Sequence, residues 1–175
     1  MATRNNVNLD ALQVFSETIQ KDPSKGKRTN KIEGTWNLET GKPQFSAEIS
    51  YKEGKLTLEA DQPPFSGGGG TRPGPMHYCL FGLASCYTAT FATIAAQEGV
   101  ELKSLKVEVE SDVSFAKVFG VSDAPIIEEV RIELQVESEA GEEKIDEIAK
   151  LAEERCPGVY CMTNPVPLKT QVTVR

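Results

Sequence analysis

The 175-residue chain has one histidine and four cysteines, and each scarcity excludes a class of function. A Ser-His-Asp or Cys-His hydrolase would have to use His77 as its imidazole. His77 stands nine residues before Cys86, about 180° around a continuous helix, so the two side chains would leave opposite faces. Cysteines at 79, 86, 156 and 161 are too sparse for a disulfide-stapled miniprotein. They also fail as a zinc set. Cys156 and Cys161 fit only the upper limit of ligand spacing, and Cys79 and Cys86 do not fit at all. The expectation is no metal and no cofactor.

Positive charge is short as well. Lys and Arg number 19 against 26 Asp and Glu, a net charge of −7, which argues against nucleic acid as a partner. No run of five like charges marks a tail. The start, Met-Ala-Thr-Arg-Asn-Asn, has no apolar signal-peptide core, so a cytoplasmic setting with reduced thiols is expected. The four glycines at 67–70 lack the GK[ST] ending of a phosphate loop and the G-x-G-x-x-G of a dinucleotide fold. They read as a flexible connection into a helix. Charge is absent altogether from Pro73 to Gln97, a length that would cross a bilayer. Gly74, Pro75, His77, Gly82, Ser85, Thr88, Thr90 and Thr93 dilute that stretch, and its flanks alternate like half-buried strands. A buried central helix, with no membrane partner, is the expectation.

What is present is ordinary for a globular chain: 39% apolar and 26% charged residues. Leu9, Leu12, Phe15 and Ile19 predict an amphipathic helix over 8–20, followed by a polar linker over 21–28. Alternation then predicts a three-stranded antiparallel meander through Ile32–Leu38, Phe45–Tyr51 and Leu56–Ala60. The central helix is expected over about 76–97 with Gly99 as its stop. Two strands follow, through Leu105–Phe115 and Ile127–Val136. A second helix spans Gly141–Arg155, and a final strand carries Leu168, Val172 and Val174. The order is α+β, not alternating βαβ units. Residues 1–29 form an N-terminal helix and linker, and 30–175 a single domain.

A cytosolic cysteine is either inert core or chemistry. Cys79 and Cys86 lie about 10 Å apart along one helix face, too far for a mutual disulfide. The remaining chemistry is a redox pair of one thiol from the central helix and one from the loop after the second helix. Cys79, near the helix start, gains most from the dipole, and chemistry alone leaves it open. Cys86 lies past the first turn and needs a cation or hydrogen-bond donors to become a thiolate. Cys156, just past a helix C-terminus, is the better resolving thiol.

Gly82-Leu83-Ala84-Ser85-Cys86-Tyr87-Thr88-Ala89-Thr90 resembles the central helix of the OsmC/Ohr family. Cys156-Pro157 and Asn164-Pro165-Val166-Pro167-Leu168 resemble its second cysteine motif and C-terminal strand. The resemblance covers about residues 30–175. It implies an OsmC-like α+β fold in which two chains intertwine into a homodimer. It also implies reduction of organic hydroperoxides, with Cys86 attacking and Cys156 resolving, and a lipoamide-like dithiol as reductant. Such a pair fits the oxidation ladder, since a nearby thiol traps the sulfenate. Cys79 and Cys161 match no family motif and read as packing. Two positions depart from the peroxidase branch. Met76 stands where a glutamate is usual, and no arginine occurs between Arg28 and Arg72. Lys42, Lys52 and Arg72 are the remaining candidate cations, without arginine's rigid fork in the two lysines. The departures keep a second reading open: an OsmC-like dimer that binds a small apolar ligand without turnover.

Overall fold

The computed structural model describes residues 2–174. The chain divides into two compact units, Gln13–Phe81 and Met1–Leu12 with Gly82–Arg175.

At the N-terminus, strands β1 (Thr3–Arg4) and β2 (Val7–Asn8) form a small hairpin that the sequence did not signal. Its turn residues Asn5 and Asn6 have φ of 52° and 60°, a region that asparagine tolerates through local hydrogen bonding. Asn5 also anchors the hairpin. Its amide donates to the Val100 carbonyl at 2.9 Å and its carbonyl accepts from the Leu102 N–H at 2.9 Å. Helix α1 (Leu9–Lys21) follows, with Asp10 in its first turn and Lys21 in its last, both favourable to the helix dipole.

In the unit Gln13–Phe81, strands β3 (Glu33–Trp36), β4 (Phe45–Tyr51) and β5 (Gly54–Ala60) form the expected antiparallel meander. The register sets Trp36 opposite Phe45 and Ala47 opposite Leu58. The glycine segment that follows is folded, not a loose connection. Asp61, only 2% exposed, gathers it in. The Gly69 and Thr71 backbone N–H groups donate to the Asp61 carboxylate at 3.3 and 3.0 Å, and the Thr71 hydroxyl donates at 2.9 Å. Gly68 passes so close to the chain that a Cβ there would stand 1.9 Å from the Gln62 carbonyl oxygen. Those donors hold the Asp61 carboxyl below the usual carboxylate range against the opposing effect of burial.

Helix α2 (Pro75–Gln97) ends where expected, with Gly99 at φ +79° just beyond it. By length and composition it is apolar enough to cross a membrane. Its buried residues, Leu83, Tyr87, Phe91, Ile94, Ala95 and Ala96, recur at helical spacing. Burial is one-sided: Phe81, Gly82, Ser85 and Ala89 are exposed.

In the other unit, β6 (Leu102–Val113) and β7 (Ile127–Ser138) pair antiparallel. Leu105, Val109, Val130, Ile132, Leu134 and Val136 face the core. On β6 and β7, Arg131 ties together Glu110, Asp112 and Glu129. Helix α3 (Glu142–Arg155) buries Ile148 and Ala152 and carries Glu142 and Glu143 at its positive end. A helix α4 (Pro157–Thr163) stands where a loop was expected. Proline at the first helical position explains it, since its missing N–H would be unpaired there anyway.

Two further expectations are corrected. Residues 165–174 form no strand, and Leu168, Val172 and Val174 stand 87%, 88% and 90% exposed. A strand requires a partner edge, and among the described residues none pairs with this segment. Cys79 and Cys161, read as packing, are both exposed. Cys79 sits near the start of α2, and Cys161 on an exposed flank of a helix whose only buried residue is Val159.

Ile148 is fully buried against α2 residues. Ile148→Ala is expected to lower unfolding free energy by about 2–5 kcal/mol, the usual cost of an unfilled core cavity. Urea denaturation measures it.

Candidate active site

Cys86 and Cys156, 70 residues apart in sequence, are brought together within one unit. Leu83 and Cys86 lie one turn apart on α2, and α4 begins against them. Cys156 is the hinge. Its N–H donates to the Ala152 carbonyl at 2.9 Å, closing α3, and its own carbonyl accepts from the Tyr160 N–H at 2.9 Å, opening α4. Its side chain is completely buried, in the same cluster as Leu83, Phe91, Ile148 and Val159.

Gly158 makes the approach possible. A Cβ at this position would lie 3.2 Å from Leu83 Cδ1, 3.3 Å from Cys86 Cβ and 3.6 Å from Cys156 Sγ. The first two are tighter than ordinary contacts. The absence of a side chain lets the start of α4 settle onto α2, with both cysteines beside it. All four cysteines are free thiols.

The electrostatics follow from this enclosure. Burial pushes the half-buried Cys86 thiol up, and it is the largest influence. The Gly158 N–H, donating to Cys86, opposes it. The Cys156 thiol, within hydrogen-bond reach, raises it further, and the charges of Cys156 and Cys161 add to the rise. No cation figures among these influences. Of the basic residues singled out from the sequence, Arg72 is engaged with Glu59 at 2.7 Å. Lys42 and Lys52 are exposed. Sequence reasoning singled out both thiols but missed the donor. Its signal was the Pro157-Gly158 pair directly after Cys156: a helix start followed by a residue with no Cβ.

His77 is exposed in the first turn of α2. Among the described residues no three His, Cys, Asp or Glu side chains converge as a metal site. What the site does bring together is two free thiols, Cys86 and Cys156, beside the start of α4.

A family model described as OsmC-like protein matches residues 67–171, a span that contains both cysteines. No curated protein matches the chain in sequence. Among solved structures, an OsmC-like protein from Mycoplasma pneumoniae superposes with a TM-score of 0.60 at 21% identity, over 78% of this chain and 88% of that one. An organic hydroperoxide resistance protein OsmC from Legionella pneumophila gives 0.56 at 16% identity, over 78% and 92%. An organic hydroperoxide resistance protein from Elizabethkingia anophelis gives 0.52 at 15% identity, over 78% and 91%. At these identities the likeness is one of fold.

Gly158→Ala is expected to lift α4 from α2 and lengthen the hydrogen bond to Cys86. Alkylation of Cys86 by iodoacetamide, followed by peptide mass spectrometry, should slow several-fold at pH 8. Its pH–rate profile should move further upward. An unchanged profile would mean that this N–H contributes nothing to the thiolate.

Proposed function

Because this chain belongs to the OsmC-like protein family, we propose that it reduces hydroperoxides with its own thiols and serves peroxide resistance. The observation that carries the reading is the convergence of Cys86 and Cys156 at Gly158. The relatives named organic hydroperoxide resistance proteins support it.

In this mechanism the Cys86 thiolate attacks the distal oxygen of an organic hydroperoxide. The O–O bond breaks, the alcohol leaves after taking up a proton, and Cys86 becomes a sulfenic acid. The Cys156 sulfur attacks the sulfenic sulfur, water leaves, and a Cys86–Cys156 disulfide forms. An external dithiol of the lipoamide type then reduces it by thiol–disulfide exchange. Burial of Cys156 favours internal capture over further oxidation by a second peroxide. The raised pKa of Cys86 limits the rate, because only its thiolate attacks. The protein works as a homodimer in this reading. The exposed side of α2 and the unpaired apolar tail with Leu168, Val172 and Val174 are the surfaces that support it. The substrate is a small hydroperoxide, and no metal or cofactor takes part.

The test is consumption of cumene hydroperoxide with dihydrolipoamide as reductant. Cys86→Ser should fall to the uncatalysed rate. Cys156→Ser should complete about one turnover and then accumulate over-oxidised Cys86. Turnover of the natural chain should climb from pH 7 to pH 9, because a raised thiol pKa leaves little thiolate at neutrality. No consumption at any pH, or full activity in Cys86→Ser, would defeat the reading.

One observation favours the second reading, a binder of small apolar ligands. Within the unit Gln13–Phe81, the meander carries a cavity of about 370 Å³ lined by Trp36, Phe45, Leu58 and Tyr78 among others. Trp36 is the only tryptophan, so its fluorescence reports the cavity directly. Saturable quenching or a blue shift with apolar ligands, without peroxide consumption, is the outcome this reading expects.

A further inference from the structure

We infer that Cys161 is a third redox thiol of this site, taking the disulfide over from the enclosed pair by exchange at the Cys86 sulfur and carrying it to the protein surface. The inference rests on the thiol-pair reading of Cys86 and Cys156.

Access poses the problem that Cys161 solves. Cys156 is completely buried and Cys86 half-buried, whereas Cys161 is exposed. Thiol–disulfide exchange needs the incoming sulfur in line with the S–S bond, so enclosure of the disulfide obstructs an external dithiol. Cys161 stands three residues beyond Gly158 on α4, and residues three apart are neighbours on a helix surface. It therefore flanks the side of α4 that rests on Cys86. It lies five positions after Cys156 with four helical residues between them, a Cα separation of about 8–9 Å, beyond the reach of a disulfide. Its partner is accordingly Cys86. The Cys161 charge is felt at Cys86, which agrees with that proximity. Val159 is the helix's only buried residue, and residues 165–174 have no regular structure. Moving Cys161 toward Cys86 therefore gives up the Asn164 bonds to the Tyr160 carbonyl but little apolar burial.

The step balances without an added oxidant. The Cys161 thiolate attacks Cys86 Sγ, the Cys86–Cys156 bond breaks, and a Cys86–Cys161 bond forms. Cys156 leaves as a thiolate and takes a proton. A dithiol then attacks Cys161 Sγ at the surface and releases Cys86. Its second thiol closes on the first and releases Cys161.

Diamide, which oxidises thiols without peroxide, provides the test on the full chain. Two arms are read by disulfide mapping and by alkylation. Diamide-treated Cys156→Ser should contain an intramolecular Cys86–Cys161 disulfide. Should that variant fail to fold, the second arm stands alone. In it, the oxidised Cys161→Ser chain, altered only at an exposed position, should be reduced by dihydrolipoamide about tenfold more slowly than the natural chain. Cys86 and Cys161 both remaining alkylatable in a folded Cys156→Ser chain, or equal reduction rates in the second arm, would overturn the proposal. Neither arm uses peroxide. Absent hydroperoxide turnover with both arms positive would strike the peroxidase reading alone. Normal turnover with equal reduction rates would strike only the role of Cys161.

Discussion

The close approach of α4 to α2 at Gly158 is the contact on which the site depends. With no Cβ in the way, the start of α4 meets Leu83 and Cys86 directly. Cys156, as the last hydrogen-bonded residue of α3 and the opening residue of α4, is drawn into the core beside Phe91 and Ile148. The same packing that removes apolar surface from water therefore sets two thiols side by side. Position and stability are one contact here, and a side chain at residue 158 disturbs both.

That contact sets two opposing electrostatic effects on Cys86. Burial disfavours the thiolate, and the Gly158 N–H favours it, with burial the stronger. The balance at rest therefore disfavours the Cys86 thiolate. Enclosure disfavours the nucleophilic form of Cys86, yet it keeps Cys156 beside the Cys86 sulfur. In the proposed reaction a buried resolving thiol and a fast attacking thiol would make conflicting demands on solvent. In this unit the packing favours the former.

Much of this was legible in the sequence because its signals were local. Alternation gave the meander and the β6–β7 pair, the uncharged stretch gave α2, and Gly99 gave its end. The spacing and motifs around Cys86 and Cys156 singled out the two residues. What escaped was set by contacts between distant segments. The first hairpin depends on Asn5 reaching Val100 and Leu102, about 95 positions away. The ordering of the glycine segment depends on one carboxylate, Asp61, whose burial no periodicity announces. The tail carries strand-like alternation, but pattern alone supplies no partner edge, and residues 165–174 have no regular structure and stay exposed. Gly158 was readable as a residue and unreadable as a contact, since its role lies in what it lets approach.

Asp61 and Cys86 are the same physical problem solved with opposite sign. Each is an acidic group taken out of water and met by backbone N–H groups from a glycine-containing segment. Asp61 receives donors from Gly69 and from both the backbone and the hydroxyl of Thr71, with a further backbone contribution at Gln44. Together they outweigh burial, and the carboxylate stays charged. Cys86 receives one backbone donor and has two thiols for neighbours, whose own ionisation would repel its charge. One donor does not outweigh burial. The number of N–H groups aimed at the acid, set against the depth of burial, decides in which direction each group's pKa moves from its ordinary value. Asp61 thus holds a permanent charge that organises a loop. Cys86 keeps its proton until a reaction partner, or a further donor, tips a balance that Gly158 has already moved part of the way.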